Sequence, residues 1–196
     1  MEAEIFLIRH APHGDLGTTL TGRGDPDLTQ AGRQSAETAR TGLPDAFAGI
    51  FTSPLPRARQ TAAILFQDQP VAVEREEALN EIDFGAWMGR TFAELDADPR
   101  WQNWNRARSS AKAPAGESMA AAQARASGFV RDAANRFPGE QIAMVSHSDI
   151  IRAILCDFLR LSLDSILNFE VAPLSLSRIS AGPHGGRVLS VNERMA

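Results

Sequence analysis

Residues that could carry out chemistry directly follow several short apolar runs of this chain. Arg9 and His10 come after the apolar run 5–8, which is short, rich in β-formers and followed by Pro12 and Gly14. Imidazole titrates near neutral pH and can act as a nucleophile, and a fixed guanidinium matches the oxygens of a phosphate group. Taken alone, the dipeptide is equally well interpreted as two polar residues at a strand end.

The same pattern, an apolar run followed by polar and charged residues, recurs in three further segments. These segments are residues 50–62 with Arg57, residues 78–85 with Glu81, and residues 144–148 with His147. The ends of such segments converge on one edge of a parallel sheet, where open α/β sheets usually place their ligand site. Two imidazoles, at least two guanidiniums and a carboxylate would then share one cleft.

This mixture of side chains suits phosphoryl transfer through a phosphohistidine. Arginines bind the equatorial phosphoryl oxygens bidentately and keep their charge, while a neutral histidine makes the covalent bond. A second histidine can donate a hydrogen bond, and a carboxylic acid must protonate the departing oxygen because an alkoxide leaves poorly. The chain has no HxxxH motif, no cysteine cluster and no convincing Asp-x-Asp loop, so we expect neither a metal ion nor a cofactor.

Composition argues against several classes of function. The net charge of −4 gives no overall basic field for nucleic acid or an anionic membrane. No apolar stretch approaches the ~18 residues of a membrane span, and the first residues lack the basic start of a signal peptide. The single cysteine, Cys156, excludes an intrachain disulfide and is expected to be a buried thiol. We therefore predict a cytoplasmic protein that binds neither nucleic acid nor membrane.

Predicted helices and strands alternate along the chain and would position these residues. Helices are predicted over residues 30–41 after the N-cap Thr29, from Ser53 (N-cap) and Pro54 (first helical residue) onward, over residues 119–137 after the cap Ser118, and over residues 149–160. Strands are predicted at residues 5–8, 49–52, 71–73, 142–146, 174–179 and 188–191. This order predicts an α/β fold, a three-layer α/β/α arrangement with a mostly parallel central sheet.

Residues 85–116 differ in character from the alternating segments. They contain all three tryptophans, together with several charges and two prolines. We interpret them as an insertion lying over the site within a single domain of residues 1–196, rather than as a separate domain. Trp87, Trp101 and Trp104 line the substrate mouth in one interpretation and pack the insertion in the favoured one.

The motifs resemble those of the histidine phosphatase superfamily, also called phosphoglycerate mutase-like, in its first branch. The family's Arg-His-Gly corresponds to Arg9-His10-Ala11, and its Ser-x-Leu-x-Arg-Ala-x-x-Thr-Ala to residues 53–62. Its Leu-x-Glu-x-x-x-Gly corresponds to residues 79–85, its Val-Ser-His-Gly to residues 145–148, and its Gly-Glu-Ser to residues 116–118. Order and spacing agree over nearly the whole chain, which makes this resemblance specific.

Carried over position by position, the resemblance implies a role for each matching residue. His10 would be the phosphorylated nucleophile, and Arg9 and Arg57 would hold the phosphate. His147 would complete the pocket and stabilise the transferring group. Glu81 would protonate the leaving group and then act as the base that activates water.

Several positions depart from the family's pattern. Ala11 and Ser148 replace glycines, and a pocket survives these small residues if neither position needs a positive φ. The backbone N–H of Ser148, at the start of the fourth predicted helix, is expected to face the phosphate. Leu16 stands near the place of a frequent phosphate-binding asparagine. His13 is a substitute for that contact in one interpretation, and a solvent-exposed loop residue in the favoured one.

Other polar candidates are assigned to surface or supporting roles. The Leu-x-Glu spacing favours Glu81 over Asp83 as the acid. Arg59 would point away from Arg57 on a helix, and a surface role is favoured for it. Arg152 is predicted either on a helix surface or paired with a carboxylate, and His184 in a surface turn.

The resemblance implies a metal-independent phosphomonoesterase that acts on a small phosphorylated metabolite. Phosphoglycerate mutase-type transfer is the alternative within the family, and it is disfavoured because the 85–116 segment is short and of mixed charge. Residues 21–28 are similar to the Gly-Arg-x-Asp-x-x-Leu region of α-ribazole phosphatases, with fructose-2,6-bisphosphate and broad phosphomonoesters as other substrates. A non-catalytic phospho-ligand binding module is the alternative from another class, and a homodimer is left open.

Overall fold

A mixed six-stranded sheet forms the centre of the computed structural model, which describes residues 1–195. The strands are β1 (Ala3–Arg9), β2 (Gly49–Thr52), β3 (Val73–Arg75), β4 (Gln141–Ser146), β5 (Ser175–Gly182) and β6 (Gly185–Arg194). Their order across the sheet is β3-β2-β4-β1-β5-β6. The first four run parallel to one another, while β5 and β6 pair antiparallel at one edge. The predicted mostly parallel sheet is confirmed.

Six α-helices connect or flank these strands within the described residues. They are α1 (Gln30–Ala39), α2 (Pro56–Leu65), α3 (Phe92–Asp96), α4 (Pro99–Arg106), α5 (Met119–Arg136) and α6 (Ser148–Leu159). Thr29 caps α1 and Ser118 caps α5 through their side chains, as predicted. Arg160 ends α6 in the left-handed region, with φ of 55°.

The predicted start of α2 is wrong by two residues. The helix begins at Pro56, and its N-cap is Leu55 rather than Ser53. A residue before proline is disfavoured in helical conformation, and Leu55 accordingly has an extended backbone, with ψ of 139°. Pro56 rather than Pro54 therefore takes the first helical position, and Ser53 is left outside the helix.

Helices cover both faces of the sheet because the buried strands are apolar on both sides. In β1, Ile5 and Leu7 share a core cluster with residues of α5 and α6. The alternate residues, Phe6 and Ile8, share a second cluster with residues of α2. Successive side chains of a strand point to opposite faces, so the continuous apolar run of β1 requires a layer on each side. The three-layer α/β/α arrangement follows.

The three tryptophans of residues 85–116 are buried against one another. The ring of Trp87 lies edge-on to those of Trp101 and Trp104, with centroids 5.3 and 5.9 Å away. The interpretation that these rings pack the segment is confirmed. The two ends of the segment also lie against each other. Their backbones approach so closely that a Cβ added at Gly85 would lie 2.2 Å from the carbonyl oxygen of Pro114.

Two further sequence predictions concern the single cysteine and the helices. Cys156 of α6 is a free, buried thiol, as predicted, and burial raises the pKa of this thiol. None of the helices in residues 1–195 combines the length and the apolar composition needed to span a membrane.

Candidate active site

The predicted site residues meet where β1, β2 and β4 end. His10 directly follows β1, Arg57 lies in the first turn of α2 after β2, and His147 follows β4. A cavity of about 450 Å³ opens at this edge, and its lining includes Arg9, His10, His13, Arg57, Glu81 and Ser148. A larger depression of about 760 Å³ lies near the opposite ends of β1 and β4, and none of the predicted site residues lines it.

His10 is held in one tautomer by its immediate surroundings. It is 3% exposed, and its backbone N–H donates to the Ser146 carbonyl at 3.0 Å. Its Nδ1 lies 2.8 Å from the carbonyl oxygen of Ala11, which only accepts, so Nδ1 carries the proton and Nε2 keeps its lone pair. Burial, followed by the positive charge of Arg57, holds the pKa of His10 well below its usual value. The ring is therefore the neutral form that a nucleophile requires.

The two glycine replacements fit the backbone. The backbone N–H of Ala11 donates to the Thr61 hydroxyl at 2.9 Å, and that hydroxyl donates to the Arg57 carbonyl at 2.7 Å. Neither Ala11 nor Ser148 has a positive φ. The condition under which a pocket survives the loss of these glycines is therefore met.

Two arginines face the cavity with fixed orientations. Arg57 is almost completely buried, and its terminal nitrogens donate to the carbonyls of Gly22 and Gly24 at 2.6 and 2.7 Å. Arg9 donates to the Val171 carbonyl at 2.7 Å. The Nε atoms of both side chains are buried and lack a protein partner among residues 1–195. Both side chains line the cavity, and each guanidinium has more N–H groups than these hydrogen bonds use, so both can also bind a phosphate oxygen.

Glu81, and not Asp83, lines the cavity. Its Oε1 accepts the backbone N–H of Ile82 at 3.0 Å. Burial, and next the negative charge of Asp149, raise the pKa of Glu81 to about 7, against the lowering by Ile82 and the two arginines. Asp83 instead accepts the backbone N–H of Gly85 at 2.9 Å. Glu81 can thus give up or accept a proton near neutral pH, as a general acid and base must.

Two arginines hydrogen-bond to the backbone of Glu81, and both form ion pairs with Glu117 of the Gly-Glu-Ser motif. Arg23 and Arg125 donate to the Glu81 carbonyl at 3.1 and 3.3 Å. Each also pairs with the carboxylate of Glu117 at 2.8 Å. Arg23, from the segment similar to α-ribazole phosphatases, thus holds the Glu81 backbone.

His147 lies behind the cavity wall, at the end of a buried hydrogen-bond chain. Its ring is fully buried, with its centroid 5.1 Å from that of His10. Its Nε2 lies 2.9 Å from the Ser53 hydroxyl, which donates to Asn80 Oδ1 at 2.9 Å. The Asn80 amide nitrogen donates in turn to the Glu77 carboxylate.

The hydrogen bonds from Glu77 to Ser53 determine which nitrogen of His147 carries the proton. The carboxylate of Glu77 only accepts hydrogen bonds, so the amide nitrogen of Asn80 faces it and the amide oxygen faces Ser53. The hydroxyl proton of Ser53 is therefore donated to Asn80 and is not available to His147. The Ser53 oxygen therefore accepts Nε2–H, and Nδ1 is the free nitrogen of His147. Burial, followed by Arg57, lowers the pKa of His147 well below its usual value, so this ring too is neutral. Sequence reasoning missed Ser53 and Asn80, although both lie inside recognised motifs.

His13 is buried, so the favoured interpretation as an exposed loop residue is wrong. It is 6% exposed and lines the cavity, with its ring centroid 5.4 Å from that of His10. The loop folds back because His13 pairs with Leu28 in an antiparallel bridge. Burial, followed by Arg57, lowers the pKa of His13 to about 4, so it is uncharged at neutral pH.

The remaining candidates are placed outside the cavity, with one exception. His184 is exposed at the β5–β6 turn, as predicted. Arg152 pairs with Asp149 at 3.6 Å, so the carboxylate interpretation is confirmed, but it also lines the cavity. In the described part of the chain, no three histidine, cysteine or acidic side chains are grouped so that they could hold a metal ion.

Comparison with known families identifies the class of protein. The family model of the histidine phosphatase superfamily, branch 1, matches residues 5–194. The chain therefore belongs to this superfamily, as its motifs predict.

The chain is similar to phosphatases and to phosphoglycerate mutases of this superfamily. Phosphoserine phosphatase 1 of Hydrogenobacter thermophilus is 27% identical, over 96% of this chain and 92% of the relative. A 2,3-bisphosphoglycerate-dependent phosphoglycerate mutase of Methylobacterium sp. is 32% identical, over 87% of this chain and 88% of the relative. An Escherichia coli structure described as a candidate α-ribazole-5′-phosphate phosphatase superposes with a TM-score of 0.87 and 23% identity, covering 99% of this chain and 98% of the other. That last likeness shows the fold; the family and its phosphatase members support the predicted phosphomonoesterase activity.

Proposed function

We propose that the protein is a metal-independent phosphomonoesterase that forms a phosphohistidine on His10 and acts on a small phosphorylated metabolite. The observation that carries this proposal is the state of His10. Its Nδ1–H is committed to the Ala11 carbonyl, its Nε2 is free, and its ring is neutral beside two cationic side chains. A neutral, oriented imidazole next to phosphate-binding arginines is what attack on a phosphoryl group needs.

In the first step, the phosphoryl group leaves the substrate for His10. Arg9 and Arg57 bind its oxygens, and His10 Nε2 forms the N–P bond as the ester P–O bond breaks. Protonated Glu81 gives its proton to the departing oxygen, which leaves as a neutral alcohol. His147 takes up a proton at Nδ1 when the dianion binds, because the anion offsets the burial that keeps the ring neutral, and its positive charge behind His10 then stabilises the transferring group.

In the second step, water takes the phosphoryl group from His10. Glu81, now a carboxylate, accepts a proton from the water as its oxygen attacks phosphorus. The N–P bond breaks, its electron pair returns to Nε2, and inorganic phosphate leaves. His147 gives up its extra proton as the anion departs, Glu81 is protonated again and His10 is neutral, so the enzyme is ready for another cycle.

Other residues complete the proposed site. Ser148 is the first residue of α6, and its backbone N–H would face the phosphate at the positive end of the helix. His13 would supply the contact of the missing asparagine. We also propose a single domain in which residues 85–116 lie over the site, supported by Phe92 of this segment, which lines the cavity. A cytoplasmic location belongs to the same proposal, and a homodimer stays one of the open oligomeric states.

Phosphoglycerate mutase activity is the second candidate, favoured by the 32% identity to the Methylobacterium enzyme. A mutase keeps the phosphoenzyme and returns the group to a sugar acid, whereas a phosphatase passes it to water. The two activities use the same histidine and arginines. They differ in how readily water reaches the phosphohistidine.

The test is hydrolysis of p-nitrophenyl phosphate by the wild-type protein in excess EDTA. We expect sustained release of inorganic phosphate at the same rate with and without EDTA. Loss of turnover on chelation would contradict metal independence. Interconversion of 2- and 3-phosphoglycerate with no phosphate release would establish the mutase instead. Phosphate-ester binding without either reaction would establish a binding module.

The hydrogen-bond chain behind His147 gives a second prediction. Ser53→Ala removes the acceptor of His147 Nε2–H, so the ring loses its fixed tautomer and Asn80 loses its donor. We expect kcat to fall about tenfold or more, as the loss of a buried hydrogen-bond partner implies. Steady-state kinetics would measure this fall.

The matched control is Ser127→Ala. Ser127 is equally buried, lies on α5, and its hydroxyl lacks a partner among the described residues. Its removal should leave kcat unchanged. An unchanged kcat in Ser53→Ala, with both variants folded by circular dichroism, would contradict the positioning role of Ser53.

A further inference from the structure

A third guanidinium lines the cavity and is not used by the proposed reaction. Arg152 lies one turn into α6, and its side chain is 17% exposed. Its Nε is buried without a protein partner among residues 1–195. Its contact with Asp149 is long, at 3.6 Å, and joins residues three positions apart on the helix.

Asp149 has a better partner than Arg152. Arg108 contacts Asp149 at 3.0 Å, is itself buried, and donates to Asn105 through its other terminal nitrogen. Its guanidinium also lies 5.6 Å from the ring centroid of Trp104. Arg108 is thus fixed outside the cavity lining and is the nearer partner of Asp149. Two guanidiniums share one carboxylate, so one positive charge is left over, and Arg152 presents it to the cavity.

We propose that Arg152 binds a carboxylate of the substrate, so that the preferred substrates are phosphorylated carboxylic acids. This inference rests on the proposed function, because it assigns Arg9 and Arg57 to the phosphoryl group and leaves Arg152 for a second anion. One guanidinium matches one carboxylate in charge and in planar geometry. A second phosphate carries nearly two charges and would need more than one free cation. The cavity of about 450 Å³ suits a small metabolite.

The experiment compares pairs of substrates that differ mainly in the carboxylate. 3-Phosphoglycerate is paired with glycerol 3-phosphate, and phosphoserine with phosphoethanolamine. Both members of each pair release a primary alcohol, so their demand on the acid is alike. We expect the wild-type protein to prefer the carboxylates by about tenfold or more in kcat/KM, the effect of a hydrogen-bonded charge pair.

Arg152→Gln should remove this preference. We expect kcat/KM for the two carboxylates to fall about 10- to 100-fold, while p-nitrophenyl phosphate and the uncarboxylated partners change less than about threefold. Arg152→Lys, which keeps the charge without the planar fork, should lose part of the preference. The control is Arg131→Gln, which removes another ion pair to α6 outside the cavity and should leave every ratio unchanged.

Three results would overturn the inference. These are no carboxylate preference in the wild-type protein, an equal loss on both members of each pair in Arg152→Gln, and a stronger preference for fructose 1,6-bisphosphate that Arg152→Gln removes. If the wild-type protein hydrolyses nothing, the proposed function fails instead. Calorimetric binding of the same pairs to the wild-type protein and to Arg152→Gln then decides the role of Arg152.

Discussion

Replacing His10 with alanine is expected to abolish turnover, with a fall in kcat of at least about 1,000-fold, as for the loss of an enzymatic nucleophile. The ring supplies the Nε2 lone pair. No other side chain among those that line the cavity is a neutral imidazole whose Nδ1–H is held by a hydrogen bond. Hydrolysis of p-nitrophenyl phosphate measures the loss. A phosphoenzyme trapped from labelled substrate should be stable in alkali and labile in acid, as an N–P bond is, and absent from the variant.

Two further variants serve as controls for this prediction. His184→Ala removes an exposed histidine at the β5–β6 turn and should keep full activity. His10→Asn keeps a polar side chain in the buried position and should be as inactive as the alanine variant. Turnover in either His10 variant above about 1% of wild type would place the phosphoryl acceptor elsewhere, because loss of a nucleophile leaves far less.

Replacing Glu81 with glutamine is expected to act according to the leaving group. The variant cannot protonate a departing alkoxide, so kcat/KM for alkyl phosphates should fall about 100-fold or more. For p-nitrophenyl phosphate, whose leaving group needs little protonation, kcat/KM should fall only about threefold, well below the effect of a full general acid. The ratio kcat/KM isolates formation of the phosphoenzyme. Equal losses on both substrates would remove Glu81 from the acid role.

The base role of Glu81 predicts a different signature in the same variant. Hydrolysis of the phosphohistidine should become slow, so kcat falls for both substrates and p-nitrophenyl phosphate gives a burst of p-nitrophenol equal to the enzyme. Rapid mixing would measure that burst. Its absence, with a linear time course from the start, would contradict the role of Glu81 in activating water.

The pH dependence follows from the same two groups. Glu81 must be protonated to act as the acid, and its pKa is raised to about 7, so kcat/KM for alkyl phosphates should decline as pH rises through about 7. His10 must be neutral, and its pKa lies well below the usual value, so its protonation limits the rate only at more acid pH. Glu81→Gln should remove the alkaline decline, whereas Asp83→Asn should keep it, because Asp83 lies outside the cavity wall. An alkaline decline that persists in Glu81→Gln would assign it to another group.

The general architecture and the main site residues could be predicted because their signals are local or repeat in order. Each of β1, β2 and β4 is a short apolar run, and the residues that follow these runs meet because parallel strands end at one edge. Glu81 could be separated from Asp83 by the spacing of its motif. The start of α2 was also decided locally, by Pro56 acting on Leu55, but the prediction took Pro54, the first of two prolines in close succession, as the first helical residue.

The sequence by itself thus determined the family, the α/β layering and the identities of Arg9, His10, Arg57, Glu81 and His147 as site candidates. Only the tertiary structure decided how their protons and charges are arranged. Ser53 meets His147 across 94 positions of the chain, and Arg108 meets Asp149 across 41. Contacts between residues so far apart leave no local periodicity, because they exist only after the strands and helices have packed. The burial of His13, the raised pKa of Glu81 and the spare charge of Arg152 all depend on such contacts.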